Sequence, residues 1–557
     1  MLLSLCQQQL KINMVGSRST DRSWASSLKE ELERVARARK EAHSRGQGPK
    51  IFKVPPYIRT LKPYHYNCQL LCLGLYNRDF VGLDRVDELR LEVVSGFLEQ
   101  AYVQGPDRWD TLCNEIAGPV EESPALRHLY DDDPKISPLS HEQLRHVLTL
   151  DAVFLVALMS YWYFNYTFVG KGSLTRSRNA NSFWSIFDQV HVNSHIALLF
   201  CDIWLFENQI PLFLIQKVWN LVYGQDVNMN FDNFLHPIVH SAVATFNLGY
   251  SKDHGIEQVV TYEQCDHLLG CLYNFVCSKQ PRDPNPPTMS IEDNYQQSSS
   301  NPGSDVSASA QISGRGSVES SSKNSNHLSV VSWLRRVFYS LKAMLTWIMR
   351  VMAFRRSKGV LPRTQSSDVS NLLSVSELEK AGISVKGVHT PISGMRFVKS
   401  SFYFRATLLL PRIDIDDNTE RMLRNMCAYE LATETDHRFM CYLAVMDALI
   451  DSPDDVRLLR KGAEPVIALN YLGDDRDVAL LFNNVLQKLS VRFSDEVKSL
   501  FTEVHDWYSS PIRHQVTRFV SRFQERPWLF ISLVAANILF ILTGLQTVYT
   551  MLSYYHP

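Results

Sequence analysis

Residues 195–224 read HIALLFCDIWLFENQIPLFLIQKVWNLVYG, an almost continuous apolar segment that is too long for a single strand. A helix that is apolar on all sides is typical of the interior of a protein. Pro211 has no backbone N–H, so we expect the segment to be kinked or split into two helices there. The segment therefore indicates a helical body with this region in its core.

Four polar residues interrupt this segment between Ile196 and Pro211: Asp202, Glu207, Asn208 and Gln209. A buried carboxylate is costly unless it is paired or hydrogen-bonded. We interpret the four side chains as a structural motif that satisfies the backbone groups freed near Pro211. The alternative is an enzyme of unrecognised class that uses the carboxylates of Asp202 and Glu207 or the histidine pairs His191/His195 and His236/His240.

Similar patterns on either side predict a mainly α fold with a few short strands. LRHVLTLDAVFLVALMSYWYF (144–164) is apolar nearly all round, and Asp151 favours a buried central helix over a second membrane span. The best strand patterns lie within 395–415. We assign the helical domain to residues 50–280 and 370–510.

The segment between these two halves differs in composition. Residues 281–327 are rich in Pro, Ser and Asn and have too few apolar side chains to offset chain entropy, which predicts a disordered insertion. Residues 328–358 predict a basic amphipathic helix that lies on a membrane surface or in a calmodulin-like groove, or packs on a core with its basic face solvated. Its basic residues are Arg335, Arg336, Lys342, Arg350, Arg355 and Arg356. Residues 1–49 predict a charged helix within a flexible arm.

The last 31 residues, 527–557, contain no Asp, Glu, Lys or Arg. About 20 apolar residues are enough to cross a bilayer as a helix, so we predict a single transmembrane helix at 527–552. The basic residues before it and the aromatic residues at its two ends are Arg518, Arg522 and Arg526, and Trp528, Tyr549, Tyr554 and Tyr555. The positive-inside rule then places the large N-terminal part in the cytosol, at the plasma membrane or an endomembrane. The alternative is a buried core helix.

Composition and motifs exclude several classes of function. A net charge of −1 provides no general field for nucleic acid. Ten scattered cysteines predict free thiols in the cytosol. Two HxxxH pairs, His191/His195 and His236/His240, have helical spacing for zinc but no evident further ligand, so we predict no metal site. No hydrolase elbow or phosphate loop occurs, and we predict no catalytic residue, cofactor or small-molecule substrate.

Seven segments together resemble the plant DUF247 family, also called UPF0481, and occur in the family's order over residues 50–555. They are FKVPPYIRTLKPYHY (52–66), CDIWLFENQIPLFLI (201–215), SELEKAGISVKG (376–387), LLLPRIDIDDNTERMLRNMCAYE (408–430), VMDALIDSPDDVRLLRKGA (445–463), LGDDRDVALLFNNV (472–485) and PWLFISLVAANILFILTGLQTVYTMLSY (527–554). The segment LCLGLYNRD (71–79) departs from the family's usual VSIGPYHHG-like block but keeps Gly74 and Tyr76.

The resemblance implies a largely helical, single-span plant membrane protein without an established enzymatic activity. It also implies a role in recognition or signalling, because some grass members are associated with self-incompatibility. We therefore expect a membrane-anchored interaction protein whose partners are the lipid bilayer and other proteins.

Overall fold

Helices form most of the described chain in the computed structural model. The described residues are 29, 50–77, 85–100, 107–119, 123–130, 136, 138–167, 185–188, 195–224, 230–248, 262, 264–278, 373–399, 406–433, 436–509 and 527–555. The chain divides into two units, one of residues 1–279 with 369–506 and the other of residues 280–368 with 507–557.

The described helices of the first unit are, in chain order, α1 Pro56–Arg59, α2 Arg85–Glu99, α3 Arg108–Ala117, α4 Ser123–His128, α5 His141–Trp162, α6 Ile196–Asp202, α7 Leu212–Tyr223, α8 Phe231–Thr245, α9 Leu268–Val276, α10 Val375–Lys380, α11 Thr419–Ala432, α12 Arg438–Leu449, α13 Pro453–Leu459, α14 Asp475–Val485 and α15 Asp495–Tyr508. The last two residues of α15 belong to the second unit. Short 3-10 turns at Pro63–Tyr66, Ser185–Asp188 and Ile392–Gly394, and a π turn at Tyr163–Thr167, supplement them. The prediction of a mainly α fold is confirmed.

The central helix α5 packs against α2, α3, α4 and α7. It begins with a capping box, in which Gln143 N–H donates to Ser140 Oγ at 3.1 Å and Ser140 N–H donates to Gln143 Oε1 at 2.8 Å. Among the described residues, His141–Asn165 is the one helical segment that is long and apolar enough to cross a bilayer, yet 83% of its apolar window is buried. The predicted burial of this helix within protein is confirmed.

Five short strands lie beside these helices: β1 Ile383–Val388, β2 Arg396–Lys399, β3 Ala406–Pro411, β4 Ile413–Ile415 and β5 Ile467–Asn470. Strand β3 pairs in parallel with β1 and antiparallel with β2, while β4 pairs in parallel with β5. The strand patterns within 395–415 are confirmed by β2, β3 and β4. Strands β1 and β5 were not predicted; both gain their partners from other parts of the sequence.

The prediction of free thiols is wrong for Cys68 and Cys72, which form a disulfide. An irregular turn brings their Cα atoms, four positions apart, to 5.7 Å. This separation lies within the usual range for a bridge. Among the other described cysteines, Cys113, Cys201, Cys265, Cys271, Cys277, Cys427 and Cys441 are free.

The second unit contains α16, Pro527–Tyr555, a helix of 29 residues. On this helix the apolar residues Ile531, Leu539 and Phe540 are 67%, 64% and 81% exposed. Within the described part of α16 the apolar stretch is the shorter segment Ala535–Thr547, so the membrane span remains a prediction.

Several predicted features lie outside the described residues. They are the arm 1–49 apart from residue 29, the insertion 281–327, the basic helix 328–358, the residues Arg518, Arg522 and Arg526, and the side chains of Tyr549, Tyr554 and Tyr555.

Candidate functional site

The loop between α6 and α7 forms the polar centre of the first unit. Pro211 ends the loop and immediately precedes α7, so the split expected at this proline is confirmed. Glu207, Asn208 and Gln209 are only 3%, 0% and 1% exposed. Polar groups buried to this extent need hydrogen-bond partners, and here the partners come from distant parts of the chain.

Asp202, the last residue of α6, is fully buried and accepts hydrogen bonds from three successive backbone N–H groups. Gln69, Leu70 and Leu71 donate to it at 3.0, 2.7 and 2.9 Å. Arg421 Nη2 completes the shell at 2.8 Å from Oδ1. The carboxylate thus binds an irregular segment of the N-terminal half to a helix of the C-terminal half.

Glu207 makes a second connection to the N-terminal segment. Val54 N–H donates to Oε1 at 2.6 Å, and Arg59 forms an ion pair with Oε2. Arg59 is 30% exposed whereas Glu207 is 3% exposed, so the arginine covers the carboxylate from the solvent side. This contact fixes α1 and the extended residues before it.

Asn208 and Gln209 form hydrogen bonds through both the oxygen and the nitrogen of their side-chain amides. Asn208 Oδ1 accepts from Leu73 N–H at 2.6 Å, and its Nδ2 donates to the Leu71 carbonyl at 2.7 Å. Gln209 Oε1 accepts from Leu269 N–H at 3.1 Å, while its Nε2 donates to two carbonyls of its own loop at 2.7 and 2.9 Å. These amides therefore hold both the N-terminal segment and the start of α9.

Asn425, one turn after Arg421 on α11, adds the last connection. Phe206 N–H donates to its Oδ1 at 2.9 Å, and its Nδ2 donates to the His65 carbonyl at 2.8 Å. We call Asp202, Glu207, Asn208, Gln209, Arg421 and Asn425 together the Asp202 network. Arg421 and Asn425 were not predicted, because their burial becomes evident only in the folded chain.

Gly74 and Tyr76, the two residues of segment 71–79 that match the family's usual block, both have structural roles. Its φ is +65°, and a Cβ there would lie 2.5 Å from the Gln209 carbonyl oxygen. Its N–H donates to Asp151 Oδ2 of α5 at 2.8 Å. Tyr76 follows and donates from its hydroxyl to the Ile51 carbonyl at 2.8 Å. Glycine is therefore required for close backbone approach at this position.

This arrangement determines the chemistry open to the two carboxylates. Asp202 and Glu207 each accept backbone N–H groups and pair with one arginine, inside a packed core. Such fixed donors orient the two carboxylates toward the protein's own backbone and arginines. The geometry suits a structural junction better than a pair of catalytic acids.

A separate cleft of about 380 Å³ lies where the N-terminal segment, the start of α9 and the end of α11 meet. Its lining residues are Lys50, Phe52, Asp266, His267, Tyr429, Ala432 and Thr433. Lys50 and Asp266 form a half-exposed ion pair of 2.5 Å at this cleft. The cleft was not predicted, because its walls come from three segments far apart in sequence.

His267 is the buried polar group of the cleft and caps α9. Its Nδ1 accepts from Gly270 N–H at 3.3 Å, so the proton of the neutral ring lies on Nε2. Burial lowers the pKa of His267 to about 4. Burial also raises the pKa of Tyr429, whose ring packs edge-on against His267. At neutral pH these two groups are therefore uncharged.

The predicted histidine pairs are only partly described. His236 Nδ1 lies 3.2 Å from the Tyr262 hydroxyl, and both His236 and His240 pack against Phe275. His195 precedes α6, whereas His191 lies outside the described residues. Within the described part of the chain, no group of three His, Cys, Asp or Glu residues could hold a metal ion.

Comparison with known proteins identifies the family. The sequence model of DUF247, described as "Plant protein of unknown function", matches residues 51–542. This chain belongs to the DUF247 family. It is 22% identical over 520 residues to the UPF0481 protein At3g02645 of Arabidopsis thaliana, covering 89% of each chain. It is 21% identical over 520 residues to the UPF0481 protein At3g47200 of the same plant, covering 90% of this chain and 86% of the relative. No solved structure matches.

Three of the segments that resemble the DUF247 family meet at the Asp202 network. Residues 52–66 supply Arg59, residues 201–215 supply Asp202, and residues 408–430 supply Arg421. The resemblance thus includes both carboxylates and both arginines of one buried junction.

We predict that Asp202→Asn lowers the free energy of unfolding by about 3–5 kcal/mol, because it leaves the buried Arg421 without its counter-charge. Denaturant unfolding of the full-length protein in detergent, followed by circular dichroism, measures the change. Asp454→Asn is the matched control, since Asp454 also pairs with an arginine but is 81% exposed. Equal stability of the two variants would contradict the proposed role of Asp202.

We also predict that His267 makes the folded protein less stable in acid. Its pKa is about 4 in the fold against 6.5 for an ordinary histidine, so between these pH values the unfolded chain binds a proton that the folded protein does not. The contribution of neutral His267 to the free energy of unfolding is complete above pH 6.5. It decreases by about 3 kcal/mol in all as the pH falls toward 4.

Comparing His267→Asn with the unsubstituted protein at pH 7 and pH 4.5 isolates this effect, because asparagine keeps a capping oxygen and cannot titrate. The unsubstituted protein should lose more stability than the variant across this interval. Equal losses would show that His267 does not titrate as described.

Proposed function

We propose that this DUF247 protein is a membrane-anchored interaction protein without enzymatic activity, in which α16 lies in the bilayer and the helical body binds protein partners. The anchor rests on one observation, a charge-free helix of 29 residues whose described large apolar side chains are exposed. At 1.5 Å per residue this helix is about 43 Å long, enough for a hydrocarbon core of about 30 Å.

Lipid is the cover that suits such a surface best. Phe540 is 81% exposed and Ile531, Leu539 and Leu542 are more than half exposed, so the apolar surface extends over several turns. Soluble proteins rarely leave contiguous apolar surface of this extent in water. Trp528, near the start of the helix and 63% exposed, suits the membrane–water interface.

An interaction role is supported by how the buried polar groups are used. The carboxylates proposed for an enzyme, Asp202 and Glu207, bind backbone N–H groups and arginines of the protein itself. In the cleft, His267 Nδ1 already accepts a hydrogen bond and Asp266 is paired with Lys50. These groups can bind and orient a ligand, but the described cleft offers no free base beside a nucleophile. A role in recognition or signalling is consistent with polar groups that are already paired within the protein.

The orientation that we propose places the body in the cytosol, on the basis of Arg518, Arg522 and Arg526 before the helix. The Cys68–Cys72 disulfide favours the opposite side, since disulfides persist mainly in oxidising compartments. Protease treatment of sealed microsomes distinguishes the two. Digestion of the body without detergent is expected, and its protection would reverse the orientation.

We predict that the full-length protein sediments with membranes and resists extraction by alkaline carbonate, whereas residues 1–526 remain in the supernatant. Replacing both Leu539 and Leu542 by arginine should have the effect of truncation, because each charge costs about 2.5–3.5 kcal/mol at the centre of a membrane helix. The matched control is Leu480→Arg on α14, where the side chain is 52% exposed on the body.

The outcome that would contradict the anchor is full-length protein in the supernatant of a detergent-free lysate, with the truncated chain behaving identically. Circular dichroism of each variant shows whether the body is still folded.

A further inference from the structure

Two cysteines lie near each other at the start of α9. Cys265 is partly exposed in the turn before the helix, where its N–H donates to the Tyr262 carbonyl at 2.9 Å. Cys271, in the first turns of α9, is fully buried. The Cys265 sulfur lies against α9, where Asn274 Nδ2 donates to it at 3.2 Å, and Cys271 lies one turn before Asn274 on the same side of the helix. Both cysteines are free thiols.

Their surroundings make the two thiols chemically unequal. Hydrogen bonding with Cys271 and with Asn274 lowers the pKa of Cys265 in spite of burial and of the nearby carboxylates of Asp266 and Asp232, which raise it. Burial raises the pKa of Cys271 well above its ordinary value. A partly exposed thiol with a lowered pKa thus lies beside a buried thiol with a raised pKa.

This is the arrangement of a reactive cysteine beside a resolving cysteine. We propose that Cys265 and Cys271 form a redox modification site whose oxidant is a small hydroperoxide. The inference does not depend on the membrane anchor, because both residues lie in the helical body.

The reaction requires no group other than the peroxide. The Cys265 thiolate attacks one peroxide oxygen, the O–O bond breaks, and the sulfur becomes a sulfenic acid while the other oxygen leaves as water or an alcohol after taking up a proton. The sulfur of Cys271 then attacks the sulfenic sulfur, and its proton leaves with the hydroxyl as water. The two thiols are oxidised by two electrons to a disulfide, and the peroxide is reduced. A dithiol reverses the change.

Oxidation of the two cysteines would change the cleft described above. Asp266 and His267, which line the cleft, lie between Cys265 and Cys271 in the sequence. A Cys265–Cys271 bond closes a short loop that contains both residues, so it restricts the wall that carries the His267 cap and the ion pair with Lys50. The redox state would therefore determine the shape that this cleft presents to a partner.

Hydrogen peroxide treatment of the full-length protein in detergent, followed by differential alkylation and peptide mapping, tests the proposal. We expect a Cys265–Cys271 disulfide that dithiothreitol reverses. Cys271→Ser should stop at a sulfenic acid that dimedone labels at Cys265, and Cys265→Ser should leave Cys271 as a thiol. The control Cys113→Ser removes another buried thiol and should still form the bond.

Recovery of both Cys265 and Cys271 as thiols after peroxide treatment would overturn the proposal. A bond from Cys265 to any other cysteine in the folded protein would overturn it as well.

Asn274 provides a test of the activation. Asn274→Ala removes an exposed amide that donates to Cys265, so we expect iodoacetamide to alkylate Cys265 up to about tenfold more slowly at pH 7, the change for one pKa unit. At pH 10, where the thiol ionises without help, the two rates should converge. Equal rates at pH 7 would show that Asn274 does not activate the thiol, and a difference that persists at pH 10 would indicate a change of access instead.

Discussion

The carboxylate of Asp202 holds together parts of the chain that are far apart in sequence. The N–H groups that it binds lie 131–133 residues before it, and Arg421 lies 219 residues after it. Burying a carboxylate with this many donors is favourable only when all of them are in place, since an incomplete shell leaves an uncompensated charge. The N-terminal segment, the loop after α6 and helix α11 must therefore assemble together, and the remainder of the body packs around them.

This constraint explains how one body can be built from two separated stretches of sequence. The end of α9 contacts the second stretch, where Ser393 Oγ donates to the Ser278 carbonyl at 2.5 Å and Arg438 to the Cys277 carbonyl at 3.3 Å. Because the entropy cost of closing a loop increases only slowly with its length, a long intervening sequence can be accommodated between these halves. The same junction positions the start of α9 through Gln209 and Leu269, and with it the cleft and the Cys265–Cys271 pair.

Local chemistry made some elements predictable from the sequence. The apolar pattern of α5, the break at Pro211 and the strands within 395–415 follow from residues close together in the chain. The sequence also singled out the polar residues 202 and 207–209, because buried polar groups require partners. It could not supply those partners: the N–H groups of 69–71 carry no side-chain signal, and Arg421 was one arginine among many. The cleft at His267 and the Cys68–Cys72 disulfide were missed for the same reason, since both depend on how irregular segments turn in space.

Hydrogen exchange at the amides of Gln69, Leu70 and Leu71 is the most direct test of the account. These residues lie outside helices and strands, and the side chains of Gln69 and Leu70 are exposed or half-exposed, so without Asp202 their amides should exchange rapidly. We predict that all three exchange only through global unfolding, as slowly as the amides of α5. Exchange as fast as that of an exposed loop would show that Asp202 does not hold the body together.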